Sequence, residues 1–89
     1  MSLDLRDLFL PRFRVLAGER LGRMRSLGAA HPKAAAELHA LAGEAAILGA
    51  NALAELVRAA EARCRRGGWA NQDEWEAALQ EIERAIAAC

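Results

Sequence analysis

The chain has 89 residues, the size of one small domain, and its formal side-chain charges cancel at pH 7. Twenty-two alanines and eleven arginines, with two prolines and no tyrosine, favour helices and predict an all-α fold. Residues 1–33 carry seven basic and three acidic side chains, a balance too modest for a nucleic-acid-binding surface. No apolar stretch of the sequence approaches the length of a membrane span.

The start of the chain and its cysteines indicate a cytoplasmic protein. The segment Met1–Asp4 is acidic rather than basic, and no apolar run follows it, so we expect no signal peptide. Two cysteines do not make a disulfide framework. Cys64 falls on an apolar helical stripe as a reduced thiol, and Cys89 is the last residue.

The first predicted elements are a short lead-in helix over Leu3–Leu10 and a longer helix behind it. Pro11 separates the two, because proline suits a helix start or a kink. Gly28 ends the longer helix. The apolar residues expected in the core from this helix are Phe13, Leu16, Met24 and Leu27.

Two further helices follow on either side of Gly49. Pro32 opens the first of them, so His31 is interpreted as a turn or cap residue. The second begins at Ala50 or Asn51 and runs to about Arg66. Its core-facing stripe consists of Leu53, Leu56, Val57, Ala60 and Cys64.

The last helix begins near Asn71, after the break at Gly67–Gly68. Asn71 is a suitable N-cap, and Asp73 and Glu74 favour the first turn. The residues expected to be buried are Trp75, Leu79, Ile82 and Ile86. Short connections make consecutive helices antiparallel, so the sequence predicts a single-domain, up-down-up-down four-helix bundle over residues 1–89.

One histidine is placed on the outer face of the helix that begins at Pro32. The apolar stripe of this helix is formed by Leu38, Leu41, Ala45 and Leu48, and His39 lies roughly 140° from its centre. The helical period therefore directs His39 toward solvent. Its neighbours one turn away are all small: Ala35, Ala36, Ala42, Gly43 and Ala46.

The run His39, Leu41, Gly43, Leu48–Gly49 and Leu53 resembles the signature of histidine-containing phosphotransfer (HPt) domains, the intermediates of bacterial multistep phosphorelays. The helix layout is similar from about residue 3 to the C-terminus, whereas the specific motif occupies residues 39–53. The family usually has a lysine three residues after the histidine, where this sequence has Ala42.

The resemblance implies that His39 accepts a phosphoryl group from a receiver-domain aspartate and passes it to another receiver. The implied partners are response-regulator receivers and a hybrid histidine kinase, with neither nucleic acid nor membrane, and the chain is expected to be a monomer. Mg²⁺ would come with the receiver, and the chain would need no cofactor of its own. Small residues would form the surface on which the receiver docks: Ala35, Ala36, Ala42, Gly43 and Ala46.

A neutral imidazole can attack phosphorus without a separate base. The sequence lacks a glycine-rich phosphate loop, so we expect no ATP-dependent kinase activity of its own. Because Ala42 is uncharged, we hypothesise that Arg20 or Arg23 supplies the positive charge near the phosphoryl group. Antiparallel pairing of the helices on either side of Gly28 brings both arginines level with His39.

Two other functions are compatible with this sequence. An HPt-like adaptor without phosphorylation could regulate a signalling protein by binding it, and Ala42 in place of lysine keeps this alternative open. A helical assembly domain would need a large exposed apolar face. A metal site shared by His31 and His39 is excluded, because the helical rise separates them by about 12 Å.

Overall fold

A computed structural model of the chain describes residues 5–89, which form four α-helices. Helix α1 spans Leu5–Leu27, α2 Pro32–Ile47, α3 Asn51–Arg65 and α4 Gln72–Ala87. Helices α1 and α3 each pack against both α2 and α4, and short turns make consecutive helices antiparallel. The predicted all-α four-helix bundle is confirmed. None of these four helices combines the length and the apolar character that crossing a membrane requires.

Helix α1 continues through Pro11, so the predicted break between a lead-in helix and a longer one is wrong. Proline removes one backbone donor and leaves the carbonyl four residues earlier without its partner. Pro11 and Asp7 are both exposed, so water can replace that hydrogen bond and the helix is not interrupted. Leu3, the expected start of the lead-in, and the acidic segment Met1–Asp4 lie outside the described residues.

The core combines one stripe from each helix. All four residues predicted from α4 are buried, and the indole of Trp75 donates a hydrogen bond of 3.4 Å to the carbonyl of Met24. In α1, Leu16 is 38% exposed, contrary to prediction, and Ala17 and Leu21 are buried instead. Four-residue steps from Phe13 keep these two on one face, whereas a three-residue step turns away from it. Partly buried at the edge of the core are Leu27, Leu48, Leu56 and Cys64.

The turn between α2 and α3 fixes how these two helices face each other. Gly49 has φ +78°, a left-handed conformation that glycine adopts without strain. The backbone N–H of Ala50 donates to the carbonyl of Ala45 at 2.9 Å, which closes the end of α2. Residues at equal distances from this turn therefore lie side by side on the two helices.

Both predicted N-caps are confirmed. The His31 side chain accepts a hydrogen bond of 3.1 Å from the backbone N–H of Lys33, at the start of α2. The Asn71 side chain accepts one of 2.9 Å from the backbone N–H of Glu74, at the start of α4. Each cap satisfies a donor that the first helical turn leaves without a partner.

Candidate functional site

His39 lies on the surface of the bundle, between α2 and α3. Its side chain is 75% exposed, as the helical period predicts. The ring leans toward α3, where it contacts Glu61. The position follows from the turn at Gly49, because antiparallel pairing places Glu61 of α3 level with His39 of α2.

The Nδ1 atom of His39 lies 3.2 Å from Oε1 and 3.1 Å from Oε2 of Glu61. An ionised carboxylate can only accept hydrogen bonds, so this contact requires a proton on Nδ1. In a neutral imidazole the other nitrogen then carries the free lone pair. Within residues 5–89, Nε2 makes no hydrogen bond, and it belongs to a side chain that is 75% exposed.

Glu61 is held in its position by Arg65, one turn further along α3. The Nε–H of Arg65 donates a hydrogen bond of 2.9 Å to Oε2 of Glu61, and Nη2 forms an ion pair with the same oxygen at 2.8 Å. Burial raises the pKa of Glu61, but the hydrogen bonds from Arg65 and His39 outweigh it, so the pKa lies below its ordinary value. Glu61 is therefore charged at neutral pH and keeps accepting the proton of Nδ1.

A groove of about 410 Å³ runs beside the ring between the two helices. We call it the His39 groove; its lining residues are His39, Ala42, Gly43, Arg58, Glu61, Ala62 and Arg65. Apart from the histidine, α2 contributes only small residues to this groove, so its α2 side is low and open. The charged side chains of the groove come from α3.

The small residues predicted around His39 differ in exposure. Ala36 and Gly43 are exposed, and Ala35 and Ala46 are half-buried. Ala42 is only 3% exposed, so the prediction that it lies on the surface is wrong. A three-residue step turns about 60° from His39 back toward the core stripe, which places Ala42 at the bottom of the groove.

The structure contradicts the hypothesis that Arg20 or Arg23 lies near His39. Arg20 bonds Glu37 at 3.0 Å and Glu44 at 2.8 Å, and Arg23 bonds Glu37 at 3.1 Å. Two residues of helix turn about 200°, so Glu37 and His39 point in nearly opposite directions. The arginines are level with His39 but lie between α1 and α2, whereas the histidine faces α3.

Three residues of the groove were missed from the sequence: Arg58, Glu61 and Arg65. They recur every three or four residues and so share one face of α3. Antiparallel pairing across the turn at Gly49 places Glu61 beside His39, just as pairing across Gly28 places Arg20 level with it. The spacing of these three residues was visible in the sequence, but they belong to α3, whereas the prediction considered only α1 as the neighbour of α2.

Comparison with known proteins supports the resemblance seen in the sequence. A family model described as Hpt domain matches residues 9–88, nearly the whole chain. Neither the curated proteins nor the solved structures give a match. Across the described part of the chain, no three His, Cys, Asp or Glu side chains cluster as metal ligands.

Proposed function

The chain belongs to the Hpt domain family, and we propose that His39 is the residue on which it carries a phosphoryl group between receiver domains. Hpt domains serve histidine phosphotransfer in phosphorelays. The observation that supports the assignment to His39 is that its two ring nitrogens have different surroundings. Glu61 binds the proton of Nδ1, and Nε2 is left with a free lone pair on an exposed surface.

The proposed step is an in-line displacement at phosphorus. The Nε2 lone pair attacks the phosphorus of the receiver's aspartyl phosphate, so an N–P bond forms as the P–O bond to aspartate breaks. Aspartate leaves as a carboxylate with the electron pair of that bond. The proton stays on Nδ1, where Glu61 stabilises the positive charge that the phosphorylated ring acquires. Attack by a second receiver's aspartate on the same phosphorus returns the lone pair to Nε2.

The outer face of α2 is the proposed docking surface for the receiver. We call it the α2 face; its residues are Ala35, Ala36, Gly43, Ala46 and Ile47. The first four of these residues are small and surround His39, which allows an aspartate in a receiver pocket to come within bonding distance of Nε2. Ile47 is 87% exposed and lies about 12 Å along the helix from His39. An exposed isoleucine there gives a partner an apolar contact about two helical turns from the reacting nitrogen.

Under this proposal the Mg²⁺ needed for transfer belongs to the receiver. The His39 groove does not fit the ion, because its one carboxylate, Glu61, is already bonded by Arg65 and His39. The original source of the phosphoryl group would be a hybrid histidine kinase, with no ATP-dependent step on this chain. What the chain provides is a fixed ring and an accessible surface.

Incubation with a phosphorylated receiver tests the proposal. The protein should acquire a label that is stable to alkali and labile to acid, and His39→Gln should abolish it. The matched control is His31→Asn, which changes the other histidine, keeps a side chain able to cap α2, and should leave the label intact. An adaptor would behave differently: His39→Gln would still bind its partner and support full signalling.

A further inference from the structure

A phosphoryl group on His39 would create a charge problem inside the groove. The group carries up to two negative charges, and Glu61 adds a third within hydrogen-bond distance of the ring. The phosphorylated ring and Arg65 offset two of these charges. Arg65 is already occupied by Glu61, so one negative charge is left without a partner.

Arg58 is the other cation that lines the His39 groove. It lies one helical turn before Glu61, which places it level with Ala42 across the antiparallel pair. Ala42 and Gly43 leave the α2 side of the groove unfilled there, and a Cβ built on Gly43 meets nothing within 4 Å. The groove that Arg58 and His39 both line is therefore open on its α2 side at Gly43.

Arg58 forms an ion pair with Glu55 that is weak enough to be replaced by another anion. Among the described residues, its guanidinium bonds Glu55 at 3.2 Å, and the two side chains are 50% and 77% exposed. Such an exposed pair three residues apart contributes little, because water screens both charges. Phosphoryl oxygens offer an arginine shorter and stronger charge-assisted hydrogen bonds.

We propose that Arg58 leaves Glu55 when His39 is phosphorylated and donates hydrogen bonds to the phosphoryl oxygens on Nε2. This inference rests on the proposed function of His39. Arg58 makes and breaks no covalent bond in the transfer; it neutralises the remaining negative charge. The positive charge that Ala42 cannot provide from α2 thus comes from α3.

Titration of the phosphorylated protein by ³¹P NMR tests this contact. The probe is phosphoramidate, a small donor whose ammonia is displaced by Nε2, so no receiver has to be identified. A cation against the phosphoryl group lowers the pKa of that group. Arg58→Ala should therefore raise it by about half a unit to one unit. Arg66→Ala, which changes the exposed residue just after the same helix and outside the groove, should leave it unchanged.

Two further variants make the test specific to this geometry. Glu55→Gln removes the competing partner of Arg58 and should shift the phosphoryl pKa in the opposite direction, downward. Adding Ala42→Lys to Arg58→Ala should restore the wild-type value, because it returns a cation to the groove from α2. If His39 is labelled but Arg58→Ala does not change the phosphoryl pKa, this inference is overturned and the proposed function stands. Failure of both phosphoramidate and a phosphorylated receiver to label His39 would contradict both.

Discussion

Both carboxylate oxygens of Glu61 lie within 3.2 Å of Nδ1 of His39, so a residue of α3 determines which ring nitrogen is free on α2. This arrangement follows the general logic of a nucleophile oriented by a second group behind it. The proton is held on the side that faces the bundle, and the lone pair is presented on the side that faces the solvent.

Glu61→Ala should lower the rate of phosphoryl transfer about tenfold to a hundredfold, because it releases the ring and its proton. Glu61→Gln should lose less, since an amide oxygen can still accept from Nδ1. Nitrogen-15 NMR of His39 should show the proton on Nδ1 in the wild type and a mixture of tautomers in Glu61→Ala. The control is Glu81→Ala, an exposed position on α4. Equal transfer rates in wild type and Glu61→Ala would rule out a positioning role.

Gly43→Ala should separate stability from docking. The added methyl group has open space around it, and alanine is the better helix former by about 1 kcal/mol, so unfolding should require about that much more free energy. Transfer from a receiver should slow, because the added methyl group keeps the receiver further from the ring. Labelling by the small donor phosphoramidate should not change. Gly22→Ala on α1, which is exposed and has equal space, should stabilise without slowing either reaction. Unimpaired receiver transfer in Gly43→Ala would show that close approach at this residue is unnecessary.

Ile47→Glu should weaken receiver binding about tenfold, equivalent to about 1.4 kcal/mol, because it places a charge within the proposed apolar contact. Unfolding should change little, since Ile47 is 87% exposed. Val15→Glu on α1 is the matched control, as Val15 is also a largely exposed apolar residue but lies outside the α2 face. Titration calorimetry or surface plasmon resonance with the receiver measures the difference. Equal affinities for the two variants would place the docking surface elsewhere.

The charged contacts between α1 and α2 should support stability and not transfer. The hydrogen bond from Arg23 lowers the pKa of Glu37, burial opposes this, and Arg20 lowers it further, so the folded value lies below the unfolded value of 4.5. Unfolding therefore takes up a proton in acid, and the stabilisation present above pH 4.5 is lost as the pH falls through the folded pKa.

Glu37→Gln should accordingly cost about 1 kcal/mol at pH 7 and reduce the further loss of stability below pH 4.5. Denaturant melts at pH 7 and pH 3.5 measure both effects, and Glu19→Gln, an exposed position on α1, serves as control. Phosphoryl transfer should be unchanged in Glu37→Gln and in Arg20→Ala. An acid sensitivity identical to that of the wild type would mean that Glu37 contributes nothing to it.

The features that depend on local sequence pattern, namely helix faces and helix starts, could be predicted from the sequence. The helical period identified the exposed side of α2, and with it His39, and the caps at His31 and Asn71 marked where two helices begin. Leu16 was misplaced because steps of three and of four residues both fit the helical period, and packing selects the four-residue steps from Phe13 to Ala17 and Leu21.

The charged partners of His39 depend on which neighbour of α2 the ring faces. Arg20 of α1 and Glu61 of α3 both lie level with His39. The orientation of α2 about its own axis determines which of the two the ring contacts. Arg20 is instead bonded by Glu37 and Glu44 on the opposite side of α2. Periodicity tells which residues share a face within one helix. Which residues of different helices make contact depends on how all four helices are arranged.

The most direct test of phosphoryl transfer through His39 is the position of phosphorus on its imidazole. Two-dimensional ³¹P–¹H and ¹⁵N NMR of the labelled protein distinguishes phosphorus on Nε2 from phosphorus on Nδ1. We predict attachment to Nε2, with the proton still on Nδ1 and bonded to Glu61. Phosphorus on Nδ1, or on any residue other than His39, would contradict it.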